Sequence, residues 1–136
     1  MQHAVYILLD VMSLPDVLIA TNRRKVVTIA QAMLEGTMRV VDGARALDGL
    51  RRRVGLDEYD SDFLPFLNFG DEVDHLPIGS EKQYWAADVL PGKEAELAHR
   101  EAEFREEAFE ACQRLIARFA LDDSSGGARG EITHNI

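Results

Sequence analysis

Residues 93–121 read KEAELAHREAEFREEAFEACQRLIARFAL, and this stretch decides the fold. Leu97, Phe104, Ala108, Ala111, Cys112, Leu115 and Phe119 recur at spacings of three, four and seven, which places them on one face of a long α-helix. Glu96–Arg100, Glu101–Arg105 and Glu110–Arg114 lie four apart with the acid first, the orientation that favours a surface pair along a helix. Pro91-Gly92 breaks the chain upstream. Downstream, Asp122-Asp123-Ser124-Ser125-Gly126-Gly127 ends the apolar pattern, so residues 122–136 are expected to form a flexible tail.

Two further helical patterns precede this one. Ser13 reads as an N-cap, with Pro15 just inside the helix and Asp16 at its positive end. Leu18, Ile19, Val26, Ile29, Ala30, Met33 and Leu34 carry the pattern to Gly36, with a break allowed at Thr21-Asn22. The next helix is expected over 38–53, on Val40, Val41, Ala44, Leu47 and Leu50, with Arg51, Arg52 and Arg53 in its last turn and Gly55 closing it. Gly43 and Gly49 weaken that helix by about 1 kcal/mol each relative to Ala. Close contact with a neighbouring helix is a reason to keep them. Residues 4–12 are apolar nearly all round, either as a helix on Val5, Leu8, Leu9 and Met12 or as a short strand over 4–9.

Between the helical regions the periodicity stops. Residues 54–81 hold eight acids (Asp57, Glu58, Asp60, Asp62, Asp71, Glu72, Asp74 and Glu81) and no Lys or Arg, in a chain of net charge −9. The run Phe63-Leu64-Pro65-Phe66-Leu67-Asn68-Phe69 is expected to be irregular or briefly extended, with its phenylalanines inserted into the core. Ser80 is a candidate cap for a short helix over 81–86, anchored by Trp85. The expectation is an all-α or mainly α single domain over 1–121. It is a helical bundle with an irregular acidic central segment, about 55–80, and a long C-terminal helix.

Composition narrows the function classes. An acidic chain lacks the Lys and Arg excess that nucleic-acid binding requires, and Arg23-Arg24-Lys25 and Arg51-Arg52-Arg53 are only local exceptions. Cys112 is the single cysteine, so no internal disulfide forms, which suits a cytoplasmic protein. Its place on an apolar stripe marks it as a core residue. Asp10, Pro15 and Asp16 interrupt the apolar N-terminus, which fits neither a signal peptide nor a spanning helix, so no membrane partner is expected.

Motifs for chemistry are sparse. Asp71, Asp74 and His75 are residue types that bind divalent ions, but their spacing matches no metal template, and a polar turn is the simpler reading. Asp60 and Asp62 are close enough for paired-carboxylate acid–base work, yet solvated loop charge is the simpler reading. No nucleophile frame and no glycine-rich phosphate loop before a helix is present. The expectation is no catalytic residue, no metal and no cofactor.

The string Asp71-x-x-Asp74-His75-Leu76-Pro77-x-Gly79, followed by Trp85 and a long helix containing Glu110-Ala111-Cys112, resembles a family of small uncharacterised bacterial proteins. The stretch Asp42-Gly43-Ala44-Arg45-x-Leu47 shares the likeness, which spans roughly residues 23–119. Where that family carries serine and glutamate-threonine beside the aspartates, this chain has Gly70 and Glu72-Val73. Such small acidic proteins resemble immunity proteins, which bind and block a toxin. The resemblance implies a toxin domain as partner; the charge of the acidic window selects a basic one, with Asp57, Glu58, Asp60, Asp62, Asp71, Glu72, Asp74 and Trp85 as the expected contacts. Two alternatives stand beside it: a small enzyme or metal-binding domain centred on Asp71, Asp74 and His75, and a homodimer formed through the apolar N-terminus.

Overall fold

The computed structural model describes the backbone of residues 13–135 and side chains up to residue 120. The helix-or-strand alternative at residues 4–9 lies outside the described residues, as do the side chains of the expected tail. Among the described residues the fold is all α, as expected, with no strand. Helix α1 spans Leu14–Glu35, α2 Val40–Leu50, α3 Leu64–Glu72 and α4 Leu90–Asn135, and a 3-10 helix covers Gly79–Tyr84. α1 packs chiefly on α4, α2 lies against α1 and α3, and both α2 and α3 touch α4.

Leu-Pro steps punctuate this architecture. Leu14-Pro15, Leu64-Pro65 and Leu90-Pro91 each open an α-helix. Proline costs nothing in a first turn, because its missing N–H would have no partner inside the helix. This corrects two expectations. The stretch around Pro65 is helix α3, neither irregular nor extended, and Pro91 lies inside the long helix, not before it. α1 also runs unbroken through Thr21-Asn22. There Asn22 uses its side-chain amide to donate to the Arg53 carbonyl at 3.1 Å. α1 stops at Gly36, whose φ of 80° lets its N–H reach back to the Ala32 and Met33 carbonyls.

The core is one cluster. All seven stripe residues of α4 are buried in it, with Val26, Ala30 and Met33 of α1 and Val40, Val41, Ala44 and Leu47 of α2. Phe63, Phe66 and Phe69 insert as expected, but from the start and inner face of a helix. Phe69 stacks on Phe104 with ring centres 4.4 Å apart, and Phe66 meets the same ring edge-on at 5.9 Å. Cys112 is fully buried and donates to the Met33 sulfur at 3.7 Å. Burial pushes its thiol up to about 11, which keeps it un-ionised at neutral pH.

One polar group interrupts the apolar stripe. Glu101 is only 7% exposed. Its carboxylate accepts from Arg39 Nε at 2.8 and 3.0 Å and from the Val41 backbone N–H at 2.8 Å. Arg39 is the N-cap residue of α2 and offers no side-chain cap of its own. Glu101 thus caps α2 from another helix, an anion at the positive helix end. Arg39 also meets Glu94 at 2.7 Å, and Glu94 meets Lys82 at 3.0 Å. Hydrogen bonds from Lys82 and then Arg39 hold the Glu94 carboxyl below its ordinary range. The expected surface pair of Glu101 with Arg105 gives way to this clamp.

α2 ends earlier than the sequence suggested, at Leu50, so the three arginines fall beyond its last turn. Arg51 turns inward instead. Its guanidinium donates to Asp48 at 2.8 Å and to the Glu58 carbonyl at 2.6 Å, over the Tyr59 ring. The two glycines of α2 have different reasons. A Cβ on Gly43 would collide with the Met33 side chain, whereas one on Gly49 would meet nothing within 4 Å. Close helix contact explains the first and not the second.

Two predictions follow from this packing. Gly43→Ala is expected to lower stability by about 1–3 kcal/mol through overpacking against Met33, whereas Gly49→Ala raises it by up to about 1 kcal/mol. Urea melts of both variants check the opposite signs. Glu101→Ala is expected to cost about 2–4 kcal/mol, since it removes a helix cap and a charge-assisted bond together. Glu101→Gln, which keeps an acceptor, should fall between it and the parent.

Candidate functional site

The acids of the central segment divide by where they point. Asp60 and Asp62 turn inward, their side chains 14% and 17% exposed. Arg118 donates one nitrogen to Asp60 at 2.9 and 3.1 Å and to Asp62 at 2.9 Å. Arg114 Nε reaches Asp62 at 3.0 Å. Burial alone would lower the Arg118 pKa, but the bonds to Asp60 and then Asp62 outweigh it and raise it. Asp60 Oδ2 also accepts the Asp62 backbone N–H at 3.0 Å. This is a closed ion network tying the loop before α3 to α4. It leaves little of either carboxylate for a partner or a proton-transfer pair.

Four more acids are engaged at the surface. Glu58 meets Arg52 at 3.0 Å, and Glu72 accepts from Arg100 at 2.9 Å. Asp57 accepts the Tyr59 N–H at 2.7 Å in a local turn. Glu81 accepts the Ile78 N–H at 3.1 Å and stands 3.7 Å from Arg45. Two of the three arginines of α4 read as intrahelical partners therefore serve other elements, Arg100 holding α3 and Arg114 the loop ahead of it.

Asp71 and Asp74 differ. Both are exposed, and neither forms a salt bridge among the described residues. With Asp48 and Glu81 they line a groove of about 330 Å³ between the end of α2 and the end of α3. Val73, Leu76 and Ile78 line it too, and Arg45 is the one cation along its wall. Gly49 and Gly70 line the same groove, and a Cβ on either would meet nothing within 4 Å. Absent side chains at these two positions leave the groove open. Its walls are anchored, because Val73, Leu76 and Ile78 are buried in the core.

The eight residues expected to meet a partner are therefore not one surface. The structure brings Asp71 and Asp74 together and adds Asp48, Glu81 and Arg45, which the sequence did not single out as partner contacts. Gly49, a costly residue near the end of a helix, was the available signal. Trp85 does not line the groove. It is half-buried, outside the 3-10 helix that ends at Tyr84, with Lys93 5.9 Å from its ring centre. His75 also lies outside the groove lining. Its Nε2 is 3.0 Å from Glu96 of α4, a bond that lowers the Glu96 pKa. Asp71, Asp74 and His75 do not converge, and among the described residues no group of three or more His, Cys, Asp or Glu side chains is placed to hold a metal ion. Among the same residues no helix is long and apolar enough to cross a membrane.

The inward acids carry a stability prediction. Asp60→Asn with Asp62→Asn is expected to cost about 1–3 kcal/mol, discounted because Arg114 and Arg118 remain part-hydrated. Asp57→Asn with Glu58→Gln should cost less than about 1 kcal/mol. Thermal melts of the two double variants measure the difference.

No protein-family model matches the chain, and comparison with curated proteins and with solved structures gives no match.

Proposed function

We propose that this chain is a small binding protein of immunity type, which neutralises a toxin domain by direct contact through the groove of Asp48, Asp71, Asp74 and Glu81. One observation carries the reading. Asp71 and Asp74, which form no salt bridge among the described residues, stand together on one open groove with an apolar floor. Elsewhere in the central segment Glu58, Asp60, Asp62 and Glu72 are bonded to Arg52, Arg114, Arg118 or Arg100, and Asp57 accepts a backbone N–H.

The groove suits a lysine or arginine side chain. Its stem lies along Leu76 and Ile78 while its charged end meets carboxylates, the division that long cationic side chains favour. The Arg45–Glu81 contact is long and half-exposed, so it opens at little cost to an incoming cation. Fixed walls limit the entropy lost on docking. Long-range attraction from an acidic chain speeds the encounter with a basic partner and makes it sensitive to salt.

The test is binding to a basic toxin domain, sought first in the genes adjoining this one and followed by surface plasmon resonance. Asp71→Asn with Asp74→Asn is expected to slow association about tenfold at low salt and to flatten its salt dependence. The melting temperature should hold, because both carboxylates are exposed. Unchanged affinity and salt slope in that variant would remove the groove as the contact site.

A further inference from the structure

Among the described residues Tyr84 is the most exposed of the large apolar side chains, at 83%. Within the same residues its ring meets no other ring and no cation, and its hydroxyl makes no hydrogen bond. Tyr84 closes the 3-10 helix Gly79–Tyr84. Side chains three residues apart in such a helix eclipse one another, about 6 Å apart along the axis. Three residues before Tyr84 is Glu81, which lines the groove. Tyr84 therefore stands one turn beyond the acidic wall of the groove, on the same face as Glu81. Glu81 spends Oε1 on the Ile78 N–H, and its Oε2 is 3.7 Å from Arg45.

The chain shows elsewhere what a ring and a carboxylate do together. Just past α2 the Arg51 guanidinium lies over the Tyr59 ring, 5.6 Å from its centre, while its Nε donates to Asp48 at 2.8 Å. Glu81 and Tyr84 repeat the carboxylate and the ring, with no cation over the ring among the described residues. Resting on the groove reading above, we infer that the groove takes an arginine side chain of the protein partner in preference to a lysine, and that Tyr84 makes the choice.

Shape separates the two cations. A guanidinium is planar, carries its donors along the edge and stacks on aromatic faces, so it meets Glu81 with an edge and Tyr84 with a face at once. An ammonium is a compact, strongly hydrated point charge and gains less from an exposed ring. Asp71 and Asp74 attract either cation, so they set the strength of binding and not the choice. The next ring in the chain is already engaged, since Lys93 lies 5.9 Å from the centre of Trp85.

Two blocked peptides, Gly-Gly-Arg-Gly-Gly and Gly-Gly-Lys-Gly-Gly, titrated into the isotope-labelled full chain and followed by amide chemical shifts, test the inference. Both are expected to shift amides within 71–81, the arginine peptide with a dissociation constant about threefold lower. Tyr84→Ala should raise the constant for the arginine peptide to that of the lysine peptide and leave the latter unchanged. Tyr84→Phe, which keeps the ring, should retain the preference. Both variants should melt with the parent, because the side chain is exposed. Asp71→Asn with Asp74→Asn should weaken both peptides alike. Equal constants for the two peptides in the parent, or a preference that survives Tyr84→Ala, overturn the selection by Tyr84 and leave the groove standing. Shifts within 71–81 from neither peptide overturn the inference and the groove reading together.

Discussion

The carboxylate of Glu101 is the contact on which the arrangement of helices depends. It lies in the apolar stripe of α4, between Leu97 and Phe104, where an unpaired charge would cost several kcal/mol. It is satisfied by the Val41 N–H and the Arg39 guanidinium, both at the start of α2. Apolar side chains tolerate a shift of one helix past another, since one methyl group replaces the next. A carboxylate that needs a helix N-terminus does not. Slide α2 by a turn and Glu101 faces backbone N–H groups already bonded within the helix. The clamp thereby sets the register of α2 on α4, and through Arg39, Glu94 and Lys82 it reaches the 3-10 helix as well.

α4 organises the rest by the same means. Its apolar stripe takes the phenylalanines of α3, and its arginines take the carboxylates on either side of them. Arg114 and Arg118 hold Asp62 and Asp60 ahead of α3, and Arg100 holds Glu72 at its end. A segment with eight acids and no base would repel itself if left alone. Folded against three arginines of another helix, much of that repulsion becomes attraction. The acidic segment is thus a structural partner of α4 first, and only its unmatched part is free for a ligand.

This explains which features the sequence revealed. The stripe of α4 was legible because burial there follows the helical period from Leu97 to Phe119. The end of α1 was legible because Gly36 is a local signal. α3 was misread because a dense aromatic run with a proline looks irregular, although Leu64-Pro65 repeats the Leu14-Pro15 step recognised at α1. The roles of Arg100, Glu101 and Arg114 could not be read locally. A charge four residues away is visible in sequence, whereas a better partner more than fifty residues away, as for Glu101 and Arg39, exists only once the helices have packed. Neutralisation of the acids was foreseeable in kind, but the cations come mainly from α4, with Arg51 and Arg52 serving only Asp48 and Glu58.

The groove is a consequence of these constraints. Its floor is fixed because Val73, Leu76 and Ile78 are in the core, and its α2 wall is fixed because buried Arg51 grips Asp48. Asp71 and Asp74 flank Glu72, the last acid within reach of an α4 arginine. Beyond that point the chain turns toward the end of α2, where the cations nearby are Arg45, held loosely at Glu81, and Arg51, already committed to Asp48 and Glu58. The two carboxylates, one in the last turn of α3 and one just past it, remain without a salt-bridge partner among the described residues. Gly49 and Gly70 then keep the space in front of them clear. A helix-forming residue at either position would favour the local backbone, as alanine does over glycine. Glycine at both, on a groove that Asp71 and Asp74 also line, gives it the two properties a cationic ligand needs: room and uncompensated charge.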